Sequence, residues 1–394
     1  MRSLVAVLLF APLAAAQSPD KLNAIDAALQ RFVDAGELSG GVAVVARRGG
    51  VLHTAAVGKA NLATDLPMRA DTPFVIASMT KPVTAAAVLA LVDAGKLSVD
   101  DPLEKHLPEF KGQMLVKERG KEATTLVPLA RRVTVRDVLT HTSGLAGNYG
   151  PGFPDVWTGT RPYTLRESTF VVSQKPLEFA PGSKWSYCNP GIDTLGRLVE
   201  FASGMSYEDY CQKTLFGPLG MTATTFHPSA EVLARTAVVY GKAAGGKLTP
   251  SGNLLISYQP GAKHPCPMGG LYSTAGDMAR FYRMLLNGGE LDGKRVLKPE
   301  TVAAMTRVQT GELKAGFNDG MGYGYAVAVV REPKGITENL SPGTFGHGGA
   351  FGTHSWADPV QDLVVVTLIA RTGIQVEASP YRQAVQAAAV TAIK

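Results

Sequence analysis

Cysteine is scarce: Cys188, Cys211 and Cys266 are the only three in 394 residues. They are too few and too irregularly spaced for a disulfide framework, although one disulfide beside one free thiol is allowed, with no pair selected. No CxxC or HExxH occurs, so the common zinc and redox signatures are missing and no metal or cofactor is expected. Charge is sparse as well, with 18% charged residues and a net +6. The basic residues are scattered apart from Lys117 to Lys121 and Arg131-Arg132, a pattern of solvated surface that excludes a nucleic-acid groove as the leading reading. The apolar run Leu4 to Leu13 is too short to span a bilayer and no later run is long enough either, so no integral membrane segment is expected.

That run does have a context. Arg2 precedes it and Ala14-Ala15-Ala16 follows it, the layout of a secretory leader cleaved before Gln17. Loss of the leader removes one Arg and leaves 38 basic against 33 acidic residues, a net +5. A soluble, exported protein is expected, periplasmic or secreted.

With 45% hydrophobic content the remaining chain can build a large core. Asp20 to Gly36 has helical periodicity. Val42 to Ala46 and Val51 to Val57 are β-rich runs around a hairpin at Arg47-Arg48-Gly49-Gly50. Helices are expected at Ser78 to Gly95, Thr134 to Thr140, Gly191 to Ala202, Ser206 to Leu219, Ala275 to Leu286 and Glu377 to Ala392. The segment from Ser98 to about Arg132 has charge and turns but no clear element. Ala146 to Pro176 is rich in Gly, Pro and aromatics and is expected to be irregular, with Tyr149, Phe153, Trp157 and Tyr163 either walling a binding pocket or forming a satellite core beneath the loop. Tyr323 to Val330, Thr344 to Trp356 and Leu363 to Ile369 are strand-like. Strands at both ends with helices between them predict one antiparallel sheet built from the two termini and flanked by the terminal helices. A mostly helical lobe is inserted in the middle. The expected divisions are a leader over 1–16, an α/β lobe over 17–74 and 295–394, and a helical lobe over 75–294. Chemistry belongs at the seam.

The stretch with the most chemical content is Ala77-Ser78-Met79-Thr80-Lys81-Pro82. An amphipathic helix capped by Ser78 puts Lys81 on the same face, about 5–6 Å away between Cβ atoms. A hydroxyl beside an amine is an activated-nucleophile arrangement. Ser18-Pro19-Asp20-Lys21 has the same pattern, so the pattern alone selects nothing. Two other stretches single out Ser78. Tyr187-Cys188-Asn189 offers a phenol for proton transfer and an amide for a carbonyl, with Cys188 turned into the core as a small apolar group. Phe345-Gly346-His347-Gly348-Gly349-Ala350 is a strand whose small residues admit a close backbone or ligand.

In their order and character these three motifs resemble those of the serine β-lactamase and penicillin-binding superfamily. Class C β-lactamases, D-alanyl-D-alanine peptidases and family VIII carboxylesterases are the nearest types. Leu139-Thr140-His141-Thr142-Ser143-Gly144-Leu145 and Met268-Gly269-Gly270-Leu271-Tyr272-Ser273-Thr274 are phrased as in that family. The resemblance implies a β-lactamase-like α/β fold, Ser78 as the acylated nucleophile, Lys81 as its proton partner and Tyr187 as general base and acid. It implies substrate contacts from Asn189, His347, Gly348, Gly349 and Ala350, and an oxyanion hole from the Ser78 and Ala350 amides. His347-Gly348-Gly349 stands where relatives carry Lys-Thr-Gly. The missing hydroxyl and charge forgo roughly 1.5–3 kcal/mol of grip on a substrate carboxylate. The expectation is therefore a carboxylesterase acting on small neutral esters, with a D-alanyl-D-alanine carboxypeptidase or β-lactamase as the alternative. A non-catalytic sensor or scaffold of the same fold is disfavoured by the intact Ser, Lys and Tyr. The α/β-hydrolase route is closed, since no serine sits in G-x-S-x-G.

Overall fold

A computed structural model describes residues 19–150, 161–251, 258–375 and 379–394. The expected leader, Phe153, Trp157 and Glu377 lie outside them. The principal helices are α1 (Pro19–Asp34), α2 (Thr80–Asp93), α3 (Val135–Leu139), α4 (Leu165–Ser173), α5 (Asn189–Ser203), α6 (Ala275–Leu286) and α7 (Pro380–Ala392).

The main sheet takes β1 (Gly40–Arg47), β2 (Gly50–Asn61) and β3 (Leu66–Pro67) from the N-terminal end. From the C-terminal end come β4 (Met321–Tyr323), β5 (Ala328–Val330), β6 (Phe345–Gly348), β7 (His354–Asp358) and β8 (Leu363–Ile369). Their order is β4-β5-β6-β7-β8-β1-β2-β3, antiparallel throughout. The two ends of the chain meet at β1 and β8, with Gly41 opposite Ile369 and Ala46 opposite Val364.

Strand periodicity sorts the core. Val42 and Val44 in β1 and Val364, Val366 and Leu368 in β8 join Met278, Phe281 and Leu285 of α6. Ala43, Val45, Val365 and Ile369 point the other way, to Ile25 and Leu29 of α1 and Val385 and Ala389 of α7. With helices on both faces β8 has no polar side, which is why Leu363 to Ile369 reads as an almost unbroken apolar run. The range 75–294 assigned to the helical lobe includes α6, yet α6 packs on the sheet. One core runs without a break from Val44 through α2 to Leu198 of α5.

Several expectations change in detail. The stretch from Ala146 to Pro176 contains α4, opened by a Thr164–Glu167 capping box. The charged segment before Arg132 holds a hairpin, Met114–Arg119 with Thr124–Pro128. Ser206 to Leu219 is broken into Tyr207–Cys211, a π-helical turn at Gln212–Phe216 and a last turn at Gly217–Leu219. Pro218 has no N–H for the ladder there. The runs Tyr323 to Val330 and Thr344 to Trp356 are each two strands, turning at Ala326 (φ 53°) and Gly352 (φ 82°). Pro299–Thr306 is a helix that the periodicity did not announce. All three cysteines are free and buried, so no disulfide forms. Among the described residues no helix is long and apolar enough to cross a membrane, and no His, Cys, Asp or Glu cluster is arranged to hold a metal ion.

Candidate active site

Ser78 sits in a 3₁₀ turn, Ala77–Met79, ahead of α2. The expected N-cap role is therefore corrected: the helix starts two residues later, and Ser78 makes no capping bond. Ala77 is held at φ 49°, a left-handed conformation costly for a residue with a Cβ. Thr80 Oγ1 donates to Ala77 O at 2.7 Å and accepts from Leu271 N at 3.3 Å, which fixes the turn. The helix is not amphipathic either. Every residue from Thr80 to Leu91 is buried, because α2 runs through the middle of the core. Its far end matches expectation, with Gly95 at φ 68° closing the last turn.

Lys81 is fully buried, with Nζ 3.0 Å from Ser78 Oγ and 2.6 Å from Met268 O. Burial pulls its pKa from 10.5 down to about 7, against the opposing pull of Asp193 and Cys188. Such a shift disfavours the charged form by about 5 kcal/mol. A neutral Lys81 that donates to Met268 O turns its lone pair towards the Ser78 hydroxyl. Nζ also lies 4.7 Å from the centroid of the Tyr187 ring.

Tyr187 is held from behind by His141. Ser186 N donates to His141 O at 2.9 Å and Cys188 N donates to His141 Nδ1 at 3.1 Å, one bond on each side of Tyr187. An accepting Nδ1 places the imidazole proton on Nε2, and the ring packs on Tyr187 with centroids 4.6 Å apart. Burial and the Lys81 charge keep His141 neutral, well below the usual histidine range. Cys188 turns inward as expected: its thiol contacts Leu145 O and Ala146 O, and burial pushes it up to about 12.

The cavity beside these groups has a volume of about 210 Å³ and is lined by Ser78, Tyr187, Phe317, His347, Gly348, Gly349 and Ala350. The strand motif thus reaches the nucleophile, and Gly349 shows why small residues are required. A Cβ there would lie 2.2 Å from Thr353 Oγ1 and 2.3 Å from Ile76 O, since the end of β6 crosses the turn bearing Ser78. The Ser78 and Ala350 amides donate to no protein acceptor among the described residues.

His347 is buried and lacks a carboxylate partner. Its Nδ1 lies 2.6 Å from Gly348 O and its Nε2 3.1 Å from Tyr323 OH, so Nδ1–H donates and Nε2 accepts. Burial, then the Lys81 charge, pull its pKa down to about 3.

Asn189 opens α5 and is half-buried, outside the cavity lining; its Oδ1 is buried without a protein partner. Tyr149 and Tyr163 do not wall the cavity. Tyr149 is buried with its hydroxyl donating to Asp193 at 2.8 Å, and Tyr163 packs against the core. The aromatic wall comes instead from Phe317, 49% exposed, whose ring stands 5.1 Å from Tyr187 and 5.5 Å from Trp185. Phe317 lies in a loop of mixed composition, and nothing in its local pattern marks it out. Asp193 went unnoticed for the opposite reason: it looks like any polar residue on a helix.

A sheet of both termini, flanked by helices, and a buried lysine against a serine in the cleft define a serine hydrolase of β-lactamase-like fold. The chain belongs to the Beta-lactamase family, whose model matches residues 25–389. It is 35% identical over 379 residues to an uncharacterised Mycobacterium tuberculosis protein, covering 88% of this chain and 90% of that one. Esterase EstB of Burkholderia gladioli is 34% identical over 362 residues, covering 84% and 86%. The structure of EstCE1, described as a hydrolase with promiscuous acyltransferase activity, superposes with a TM-score of 0.78 at 22% identity, covering 94% of this chain and 99% of that one.

Proposed function

We propose that the chain is an exported carboxylesterase that cleaves small neutral esters through an acyl-enzyme on Ser78. The observation that carries this reading is the uncharged lining. His347 stands in place of the family's lysine, is held neutral by burial, and has both ring nitrogens engaged within the protein. Among the described residues the cavity lining holds no lysine or arginine to grip a substrate carboxylate. Similarity to Esterase EstB supports the same reading.

In the proposed reaction neutral Lys81 takes the Ser78 proton as Oγ attacks the ester carbonyl. The amides of Ser78 and Ala350 receive the developing oxyanion; each such donor contributes ~10²–10³ in rate. The ester C–O bond then breaks, and Tyr187 passes a proton to the leaving alcohol. Tyr187 next takes a proton from the water that attacks the acyl-enzyme. The bond from the acyl carbon to Ser78 Oγ breaks, and protonated Lys81 returns its proton to Oγ, which restores the hydroxyl and releases the acid. A positioned base of this kind contributes ~10²–10⁴. Asn189 stands outside the cavity lining, two residues beyond Tyr187, and its amide would reach the substrate carbonyl only for a substrate that extends past the cavity towards α5.

The test compares p-nitrophenyl butyrate, nitrocefin and a D-Ala-D-Ala peptide on protein from the exported fraction, with its N-terminus expected at Gln17. A kcat/KM for the ester at least ~100-fold above either acidic substrate is expected. Preference for nitrocefin or the peptide would overturn the substrate assignment, and an uncleaved leader would overturn export.

A further inference from the structure

A buried carboxylate lies behind the serine–lysine pair, and the reaction just described makes no use of it. Asp193 is completely buried in α5, four residues beyond Asn189. Its Oδ1 accepts from the Met268 amide at 3.0 Å and its Oδ2 from the Tyr149 hydroxyl at 2.8 Å. The carbonyl of Met268 is the group that receives Lys81 at 2.6 Å. Carboxylate, peptide and amine therefore form one chain, Asp193 to Met268 to Lys81, ending 3.0 Å from Ser78 Oγ. The N–H and C=O of Met268 belong to adjacent peptide groups that share its Cα, so the carboxylate clamps the Met268 backbone and thereby fixes the direction of the carbonyl that receives the amine.

We propose that Asp193 is a positioning residue for Lys81, anchoring the Met268 backbone whose carbonyl orients the amine towards Ser78. The inference rests on Lys81 acting as the base for Ser78.

Removing the carboxylate would leave the Met268 amide unpaired in the core and the lysine head free to rotate away from the serine. The electrostatics agree in sign: Asp193 raises the Lys81 pKa against the larger depression from burial. The other titratable groups facing Lys81 are Cys188, which also raises it, the Tyr187 phenol, whose ring centroid is 4.7 Å from Nζ, and His141 and His347, both neutral. Around Asp193 stand Tyr149, Cys266 and His264, whose Nε2 is 3.9 Å from Oδ2, with Arg161 donating to His264 O. Burial also lowers His264, so at neutral pH it adds no positive charge to offset the carboxylate. His264 bonds Ser168 Oγ at 3.0 Å through the same Nε2, which rules out a second Ser-His-Asp relay, because Asp193 would have to hold Nδ1.

The experiment follows the rate of Ser78 labelling by a fluorophosphonate as a function of pH. In Asp193→Asn the amide oxygen still accepts from Met268 N while the charge is lost. The acid limb of the profile is expected to move down by on the order of one pH unit. Tyr149→Phe strips a donor from the carboxylate, strengthens its field at Lys81 and is expected to move the limb the other way; it serves if the Asn variant is not recovered folded. Asp193→Ala is expected to cut kcat by about tenfold or more with little change in KM, which a loosened scaffold would not separate. An unmoved limb in a folded Asn or Phe variant overturns the proposal while leaving Ser78 as nucleophile. Wild-type protein unlabelled at Ser78 overturns the hydrolase reading itself.

Discussion

Local rules and tertiary context part company at single residues. Ser78, Lys81 and Tyr187 were legible because nucleophile chemistry needs those side chains at close to those spacings. Asp193, His141 and Phe317 were not, since each acts through a neighbour far away in sequence. Phe317 allows a direct check on the cavity wall. Half-exposed and set against Tyr187 and Trp185, it offers an apolar face at the mouth, where an acyl or alkoxy chain would lie. Replacing it with Ala should raise KM for long-chain or aromatic esters several-fold, at roughly 1–3 kcal/mol for a lost apolar contact, and leave acetate esters nearly unchanged. Equal effects on both substrates would return Phe317 to the scaffold.

The elements as a set show why the third motif has to be glycine-rich. Strand β6 delivers His347 and the following glycines to the turn before α2, and Thr353 Oγ1 donates to Ile76 O at 2.8 Å beneath the crossing. Gly349→Ala places a methyl against that carbonyl and that hydroxyl, so the strand end must move and carry the Ala350 amide with it. Loss of one oxyanion donor predicts a fall in kcat of ~10²–10³ measured on p-nitrophenyl butyrate, with a smaller change in KM. A variant retaining wild-type kcat would remove Ala350 from the site. The same elements mark the limit of sequence reading. Period-2 and helical patterns located β1, β2, β8, α1 and α6. At α2 they placed the helix but misread its start and its amphipathic character, since burial on all sides leaves no polar stripe, and they missed α4, whose capping box lies inside a Gly- and Pro-rich stretch.

At the scale of the whole molecule, the core contains charge-capable groups kept neutral. His347 is pulled down to about 3, and His141 and His354 fall well below the histidine range, in each case chiefly by burial. The unfolded chain binds protons at these histidines near pH 6.5 while the folded chain does not. Stability is then full above about pH 6.5 and is lost as pH falls towards the folded values. His347 alone costs about 2 kcal/mol at pH 5, and His141 and His354 add to the loss in the same direction. Thermal unfolding followed by circular dichroism should show Tm dropping steeply between pH 6.5 and 5; a flat Tm across that window would mean the imidazoles can be charged in place. The antiparallel sheet of both termini was foreseen because strand-like runs cluster at the two ends. The continuous core was not, since no composition change along the chain reports which faces meet.

The central claim is that Ser78 carries the acyl group. Its most direct measurement is the site of the fluorophosphonate adduct, located by peptide mass on wild-type protein and on Ser78→Ala and Ser18→Ala variants. A single adduct on the peptide containing Ser78, absent from the first variant and retained in the second, is the predicted result. An adduct that persists in Ser78→Ala, or maps to another serine, would contradict the account.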